Sequence, residues 1–208
     1  MPRVSVITPV YNSAPFLPAT LKSVVEQSFS DFEHLLVIDA KSTDASAEIA
    51  HAAAKKDPRV RVVVHPENLG VAANRNRGIE LARGEWLAFL DADDLWLPRK
   101  LEMQLELAES TGSRLLCSGY EIITPTGGPT GRKRIPPEQA GFGDLLAHNS
   151  VGCLTALVHR EALGELRFDP SVLHEDYLLW LQLAERHGHF TGLAAVTAQY
   201  RLSPNSRS

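Results

Sequence analysis

The feature that most constrains the fold is a regular alternation of strand-like and helix-like patterns in the first half of the chain. Short apolar, β-branched runs occupy residues 3–10, 33–38, 60–64 and 86–90. Amphipathic or alanine-rich patterns follow them at residues 15–27, 44–56, 71–82 and 98–110. This alternation predicts an α/β fold, with a mostly parallel central sheet flanked by helices and right-handed crossovers.

Local signals predict where these elements start and stop. Pro15 suits the first turn of a helix, and Ser42 or Thr43 can cap the next one. Residues 68–70 read as a turn, and Gly84 is placed as a C-terminal stop for the helix over 71–82.

The texture of the sequence changes after Gly112. We expect strands at 115–123, 153–159 and 194–200, helices at 143–148 and around 178–183, and a polar tail at 203–208. Residues 124–129 predict a turn, and the basic patch at 131–134 is expected in a loop, either simply solvated or meeting a phosphate or an anionic lipid head group. No long flexible segment separates the halves, so we expect one compact unit with a smaller, mixed second portion.

Composition bounds the function class. With 44% hydrophobic and 22% charged residues the chain fits a soluble globular protein, and its formal charge of −4 gives no reason to expect nucleic acid as a partner. No apolar run approaches a membrane span, and we expect neither a signal peptide nor a transmembrane helix. Cys117 and Cys153 are expected to be buried thiols in a reducing compartment, so the predicted location is the cytoplasm.

Carboxylates follow the apolar run at 86–90. Asp91, Asp93 and Asp94 must be solvated, used as caps, or neutralised by a cation, because unpaired charges are costly in a dry site. Ligands of open α/β sheets bind beyond the carboxyl ends of strands, where residues 8–11 and Asp39 are also expected. Alternate residues of an extended segment point the same way, so Asp91 and Asp93 could address one ligand, and Mg²⁺ or Mn²⁺ suits carboxylates.

Together these residues resemble the family 2 glycosyltransferases with the GT-A fold. The resemblance covers almost the whole chain and is carried by residues 4–12, 39–44, 68–70, 75–76, 84–86, 90–94 and 175–176. It implies a single GT-A domain over residues 1–208, in which residues 1–111 bind a nucleotide sugar and residues 112–208 carry the acceptor side and the catalytic base.

The resemblance also implies roles on the donor side. Asp93 is expected to coordinate Mg²⁺ or Mn²⁺, Asp91 to hold the ribose or the metal with its water shell, and Asp94 to serve either as a cap or as a further metal ligand.

The nucleoside is expected to meet residues at three further positions. Thr8, Pro9 and Tyr11 would line the nucleobase site, although packing is an equally ordinary role for Tyr11. Asp39 would bind the base or ribose, and Arg75 would face the base or pyrophosphate unless it pairs with a glutamate of its own helix.

One departure from the family pattern follows Asp39. Ala40 and Lys41 replace the Asp and Gly of the commonest motif, which leaves the identity of the base open. Lys41 could reach a phosphate or remain solvated.

The resemblance assigns Asp176 as the general base of an inverting transfer. Glu175 would orient Asp176 or touch the acceptor, and His174 would lie at the surface or orient a neighbour. Both acids also suit the start of the following helix, where its dipole favours negative charge.

The predicted function is a metal-dependent inverting glycosyltransferase. It would move a sugar from a nucleotide-diphosphate sugar, UDP-linked, to a hydroxyl of a glycan or lipid-linked acceptor in cell-surface polysaccharide synthesis. The enzyme would act either free in the cytoplasm or as a peripheral protein at the inner face of the membrane. The alternatives are an inert nucleotide-sugar-binding module and a nucleotidyltransferase. A dehydrogenase is disfavoured because residues 8–13 lack the G-x-G-x-x-G cradle.

Overall fold

The computed structural model describes residues 1–65 and 70–202. The predicted turn at Asn68 and Leu69 and the predicted tail at 203–208 lie outside the described residues. The strands are β1 Val4–Val10, β2 Phe32–Asp39, β3 Val60–His65, β4 Trp86–Phe89, β5 Leu95–Trp96, β6 Leu115–Ile123, β7 Pro129–Arg134, β8 Gln139–Gly141, β9 Leu157–His159 and β10 His189–Arg201. The helices are α1 Leu17–Val25, α2 Ser46–Lys56, α3 Gly70–Leu81, α4 Lys100–Thr111, α5 Phe142–Ala147, α6 Arg160–Leu163 and α7 Glu175–His187, with a 3₁₀ turn at Cys153–Thr155.

The strands of the described residues form one sheet in the order β3-β2-β1-β4-β9-β6-β10-β5, with β7 beside β6 and β8 beside β10. β3, β2, β1 and β4 run parallel to one another. β9 is antiparallel to both β4 and β6 and so joins the parallel part to the rest, in which β6 and β10 are again parallel. The predicted α/β class with a mostly parallel central sheet and a mixed second portion is confirmed.

The core explains why the central strands are apolar throughout. Every residue of β1 and β2 is buried, which is the pattern expected of strands covered by helices on both faces. One core cluster contains Ile7 and Leu35 from the first half together with Trp180 and Phe190 from the second. The two halves therefore share a hydrophobic core as well as a sheet. Within the described ranges, no helix combines the length and apolarity that crossing a membrane requires.

The need for glycine at position 84 differs from the helix stop that the sequence predicted. Helix α3 already ends at Leu81, and Gly84 lies against β1 instead. A Cβ atom at Gly84 would come within 2.5 Å of the Ser5 backbone nitrogen, and the Ser5 hydroxyl accepts a hydrogen bond from the Gly84 N–H at 2.8 Å. The missing side chain therefore permits close backbone approach rather than a helix stop.

Four other features also differ from the prediction. The first-turn proline of α1 is Pro18, and Pro15 precedes the helix. The basic patch at 131–134 belongs to β7, an exposed strand, rather than to a loop. The 153–159 segment is split into the 3₁₀ turn and β9, and the last strand starts earlier than expected, at His189.

Candidate functional site

Three adjacent strand ends define the site. Val10 of β1 is in register with Ile38 of β2, and Ile7 is in register with Phe89 of β4. Tyr11 follows the end of β1, Asp39 is the last residue of β2, and the acidic loop, defined as residues 91–94, comes after β4. The fold thus places the residues predicted at strand ends along one edge of the sheet, where α/β proteins bind ligands.

The backbone of the acidic loop is fastened from two directions. The Thr20 hydroxyl of α1 lies 2.9 Å from the carbonyl oxygens of both Ala92 and Asp94. From the other side Arg201, at the end of β10, donates through Nε to the Asp93 carbonyl oxygen at 2.7 Å. These contacts hold the loop in one conformation, which keeps its carboxylates at fixed positions.

Asp94 anchors the loop to β10. Its side chain is buried, and its Oδ1 accepts a hydrogen bond from the Arg201 backbone N–H at 2.8 Å. Burial, and then the neighbouring Asp93 and Asp91, raise the pKa of Asp94 well above its ordinary value. Its side chain is therefore engaged in fixing the loop to β10. The further metal role considered from the sequence stays a prediction.

Asp91 and Asp93 differ in what surrounds them. Asp91 is paired with Arg75 through a 2.6 Å contact. Asp93 has no ion-pair partner in the part of the chain that the structure describes, and burial together with the charge of Asp91 raises its pKa to about 6. A nearby cation would favour the ionised form of Asp93 and offset this repulsion.

Asp91 and Asp93 fit a divalent ion that takes few ligands from the protein itself. No cluster of three or more His, Cys, Asp or Glu side chains suited to a metal occurs among residues 1–65 and 70–202. Mg²⁺ is commonly held by one or two carboxylates, with substrate phosphates and waters completing its shell. Asp93 and Asp91 match that donor set, whereas an all-protein cage does not exist here within the described residues.

Arg75 links the acidic loop to the start of α7. Its Nη2 donates to Asp91 Oδ1 at 2.6 Å and its Nη1 donates to Glu175 Oε1 at 2.8 Å, while the guanidinium lies 5.2 Å from the centre of the Phe168 ring. Burial alone would lower the pKa of Arg75, but the adjacent acids, Asp91 first, raise it above its ordinary value. Arg75 stays charged and joins two segments that the sequence separates widely, so the alternative of a pair within its own helix is not formed.

Asp176 lies one residue after Glu175, in the first turn of α7. Its Oδ1 accepts a hydrogen bond from the Tyr177 backbone N–H at 2.8 Å. Burial raises the pKa of Asp176, with Arg75 opposing the rise and Glu175 and Asp91 adding to it. A carboxylate with a raised pKa is a better proton acceptor than an exposed one, which is the property that a general base needs.

Three of the residues expected to contact the nucleoside are buried. Thr8 is fully buried, with its hydroxyl 2.9 Å from His34 Nε2, and Pro9 is buried in β1. Asp39 is 1% exposed, and its Oδ1 accepts a hydrogen bond from the Lys41 N–H. Tyr11, 49% exposed, presents an open ring at this edge.

The loops after β1 and β2 are joined by polar contacts. The Ser42 hydroxyl accepts from the Asn12 N–H at 3.2 Å, and Asn12 Oδ1 accepts from the Thr43 N–H at 2.8 Å. Asp44 accepts from both the Ala14 and the Ser46 N–H groups. Ser42 and Thr43 therefore connect the two loops and do not cap α2, whose N-cap is Ala45 with no side-chain hydrogen bond.

Thr20 and Arg201 were missed by sequence reasoning. Each lies in an unremarkable helix or strand pattern, more than 70 residues from the loop that it holds. The position of the candidate site does not coincide with the open cavity near the amino ends of β6 and β10. This cavity has a volume of about 500 Å³, is lined by residues that include Leu115, His187 and His189, and contains none of the site residues.

Comparison with known proteins identifies the family. The model of the family described as Glycosyl transferase family 2 matches residues 5–166. TuaG of Bacillus subtilis, whose name assigns it to teichuronic acid biosynthesis, is 36% identical over 207 residues, covering 100% of this chain and 82% of TuaG. A UDP-Glc:α-D-GlcNAc-diphosphoundecaprenol β-1,3-glucosyltransferase of Escherichia coli, WfgD, is 31% identical over 99% of this chain and 79% of its own length.

Solved structures share the fold. TarS of S. aureus in complex with UDP superposes with a TM-score of 0.80 at 21% identity, covering 97% of this chain and 61% of that one. The mannosyltransferase PcManGT of Pyrobaculum calidifontis, in complex with GDP-Man and Mn²⁺, gives a TM-score of 0.75 at 21% identity, covering 99% of this chain and 59% of that one. This chain thus spans about three fifths of each solved chain. The fold, the strand-end acids and the match to the family model agree: the chain is a glycosyltransferase and belongs to glycosyltransferase family 2.

Proposed function

We propose that this protein transfers a sugar from a UDP-sugar to a hydroxyl of a glycan or lipid-linked acceptor during cell-surface polysaccharide synthesis, with inversion at the anomeric carbon. The observation that carries the proposal is the Arg75 bridge, because it fixes the acidic loop and the segment bearing Asp176 relative to each other. One side of that bridge would hold the leaving diphosphate and the other would hold the attacking hydroxyl. Residues 1–111 form the donor half and residues 112–208 the acceptor half of this proposed single domain.

The donor side is proposed from the strand ends. Tyr11 offers the open ring for the base, and the chain around Thr8, Pro9 and Asp39 shapes the edge beneath it. A divalent ion, Mg²⁺ or Mn²⁺, held by Asp93 with Asp91, would neutralise the charge that develops on the diphosphate as it leaves. In this scheme Arg75 does not touch the donor; it holds Asp91 in place.

The acceptor side is proposed from Asp176. Its Oδ1 is occupied by the Tyr177 N–H, which leaves Oδ2 to take the proton from the acceptor hydroxyl. As that proton moves, the acceptor oxygen bonds to the anomeric carbon and the bond to the diphosphate breaks on the opposite face. A single displacement of this kind inverts the configuration, as it does in inverting glycosidases.

The choice of uridine rests on the relatives. TarS binds UDP, and WfgD is named for a UDP-linked donor and a diphosphoundecaprenol-linked acceptor. The acceptor class and the place in cell-surface polysaccharide synthesis are proposed on the same basis, together with the name of TuaG.

The test compares two carboxylate variants on one helix. Asp176→Asn is expected to lower UDP release from the productive UDP-sugar about 10²–10⁴-fold, the usual contribution of a general base, without weakening UDP binding. Glu185→Gln removes an exposed carboxylate of α7 and is expected to leave release unchanged. Nuclear magnetic resonance of the product should show the inverted anomer. Transfer by Asp176→Asn within tenfold of wild type would refute the base assignment.

The inert binding module is the second candidate, favoured by the Ala40 and Lys41 departure. It predicts UDP binding, seen as a rise in melting temperature with Mn²⁺ present, but no release of nucleoside diphosphate from any donor in a panel. Release that stops on addition of a chelator and resumes with Mn²⁺ would exclude it and support the metal role.

A further inference from the structure

The segment that leads into α7 has no regular secondary structure of its own. Residues 164–174 join α6 to the helical turn that carries Glu175 and Asp176. In the part of the chain that the structure describes, the hydrogen bonds of this segment join positions at most four apart, with one exception. The exception is Phe168, which is bonded to Asn76 of α3, 92 positions away. This attachment therefore fixes the position of the segment against the rest of the fold.

Asn76 binds both polar backbone atoms of Phe168. Its Nδ2 donates to the Phe168 carbonyl oxygen at 2.8 Å, and its Oδ1 accepts from the Phe168 N–H at 3.0 Å. Two residues of paired strands exchange hydrogen bonds in the same way, so the contact sets the orientation of the segment as well as its distance from α3. An asparagine amide supplies the donor and the acceptor from one planar group, whereas an aspartate would offer acceptors alone.

The Phe168 ring extends this attachment towards both sides of the proposed reaction. It is 1% exposed and packs edge-on against Phe89 and Trp180, with 5.1 Å and 6.0 Å between the ring centres. Phe89 ends β4, two positions before Asp91. Trp180 comes four positions after Asp176, so these two residues lie on one side of α7. The ring is thus wedged between the strand that leads to the acidic loop and the helix that carries the proposed base.

Two neighbouring residues of α3 hold this region. Arg75 binds the Glu175 carboxylate at 2.8 Å, and Asn76 binds the backbone seven positions before Glu175. One contact alone would leave the first turn of α7 free to rotate about it. The second contact removes that freedom, so the direction of the Asp176 side chain depends on both.

We propose that Asn76 is a positioning residue for the proposed base. By fixing Phe168, it keeps Oδ2 of Asp176 where the acceptor hydroxyl would give up its proton. Asn76 itself does not touch the substrate and acts through Phe168 and the first turn of α7. This inference rests on the proposed function, which assigns the proton transfer to Asp176.

Turnover of Asn76→Ala in two backgrounds tests this role, with UDP release measured from the most productive donor of a panel that begins with UDP-glucose. In otherwise wild-type protein, kcat should fall at least about tenfold, because a misplacement of 1 Å can cost about 10²-fold. The dissociation constant of UDP with Mn²⁺ should stay within about twofold, since other contacts hold the donor side. In the Asp176→Asn background, the substitution should lower kcat less than about twofold, because the group that Asn76 positions is already gone. An equal loss in both backgrounds would overturn the inference.

Asn76→Asp separates the hydrogen bonds from the volume of the side chain. It keeps the size and the acceptor of Oδ1, but it turns a second oxygen towards the Phe168 carbonyl in place of the Nδ2 donor. It should therefore lose at least as much kcat as Asn76→Ala. A kcat of Asn76→Asp within about twofold of wild type would contradict the proposed role.

Ser5→Ala is the matched control. It removes a buried hydroxyl that accepts from the Gly84 N–H at 2.8 Å, at the amino end of β1 and away from the candidate site. It should lower stability while keeping kcat within about twofold of wild type, because it is independent of the α7 attachment. All assays are run well below the melting transition of the least stable variant. A loss of kcat in Ser5→Ala as large as that in Asn76→Ala would refute a specific effect on the base.

Hydrogen exchange followed by mass spectrometry measures the attachment without any substrate. Asn76→Ala should speed exchange at least about tenfold in the peptides that contain Phe168 and the first turn of α7, and Ser5→Ala should not. Unchanged exchange in Asn76→Ala would overturn the inference whatever the activity. Faster exchange in Asn76→Ala, combined with no UDP release by wild type from any donor, would support the attachment and count against the proposed function.

Discussion

Replacing Arg75 with methionine tests the link between the two sides of the site. The substitution keeps much of the aliphatic stem against Phe168 and removes the guanidinium that pairs with Asp91 and Glu175. The Glu175 side chain is 9% exposed, so it would be left as a buried carboxylate without its cation. The Asp91 side chain is 33% exposed, and water would compensate much of its loss.

The expected magnitude follows from these exposures. Removing one partner of a buried ion pair costs about 3–5 kcal/mol, and we assign that cost mainly to Glu175. The partly exposed Asp91 contact adds about 1 kcal/mol at most. Arg75→Met should therefore lower the free energy of unfolding by about 3–5 kcal/mol, a large part of the 5–15 kcal/mol typical of a domain.

Urea unfolding followed by tryptophan fluorescence measures this loss, with linear extrapolation and a check that the m-value is unchanged. Arg77→Met is the matched control on the same helix, because its exposed pair with Glu80 should be worth less than about 1 kcal/mol. The double variant Arg75→Met/Glu175→Leu removes the stranded charge and should recover more than half of the lost stability. A loss below about 1 kcal/mol for Arg75→Met, or no recovery in the double variant, would refute the reasoning.

Three further predictions concern stability. In protein without metal or donor, Asp93 binds its proton more tightly when the protein is folded, because its pKa is about 6 against an ordinary value of 3.8. The free energy of unfolding of wild type should therefore fall as pH rises through this interval. Asp93→Asn lacks that fall and should be more stable than wild type at pH 7 by about 1–2 kcal/mol in urea titrations. Gly84→Ala should cost about 1–3 kcal/mol by calorimetry because its Cβ meets backbone at 2.5 Å, whereas Gly143→Ala, with nothing within 4 Å, should change stability by less than about 0.5 kcal/mol. Burial lowers the pKa of Lys100 to about 7, so the folded state loses that proton at lower pH than the unfolded state. The free energy of unfolding of wild type relative to Lys100→Met should therefore rise from pH 7 to pH 10, by at most about 1.4 kcal/mol per pH unit. A stability difference between the two proteins that does not change with pH would contradict this prediction.

The parallel part of the sheet was predictable because each of its strands is long enough to show its own pattern. β1 and β2 have seven and eight residues, all buried, and their helices follow in order. β9 and β5 have three and two residues, too few for periodicity to register. Their place depends on neighbours such as β4, β6 and β10, which local sequence does not encode.

The position of the candidate site was predictable where a motif coincided with a strand end, as for Asp91 and Asp93 after β4. Side-chain direction was not, because a strand buried on both faces has no polar alternation to reveal which way Thr8 points. The partners of Arg75 lie 16 and 100 positions away, and an arginine in a helix carries no sign of which distant carboxylates it will meet. The roles proposed for Tyr11, Asp39, Asp93 and Asp176 remain predictions.

The fastening of the acidic loop by Arg201 also sets an order of events during synthesis. Asp94 and its partner Arg201 are separated by 107 residues. At about 5–20 residues per second, the ribosome needs roughly 5–20 s to add that stretch. During this interval β1 to β4 can pair locally, but the carboxylate of Asp94 has no backbone N–H to accept from and the loop lacks its second attachment. The nascent protein therefore acquires a rigid acidic loop only when its last described strand is in place. The proposed capacity of this loop to bind the donor would then arise late, with completion of the sheet.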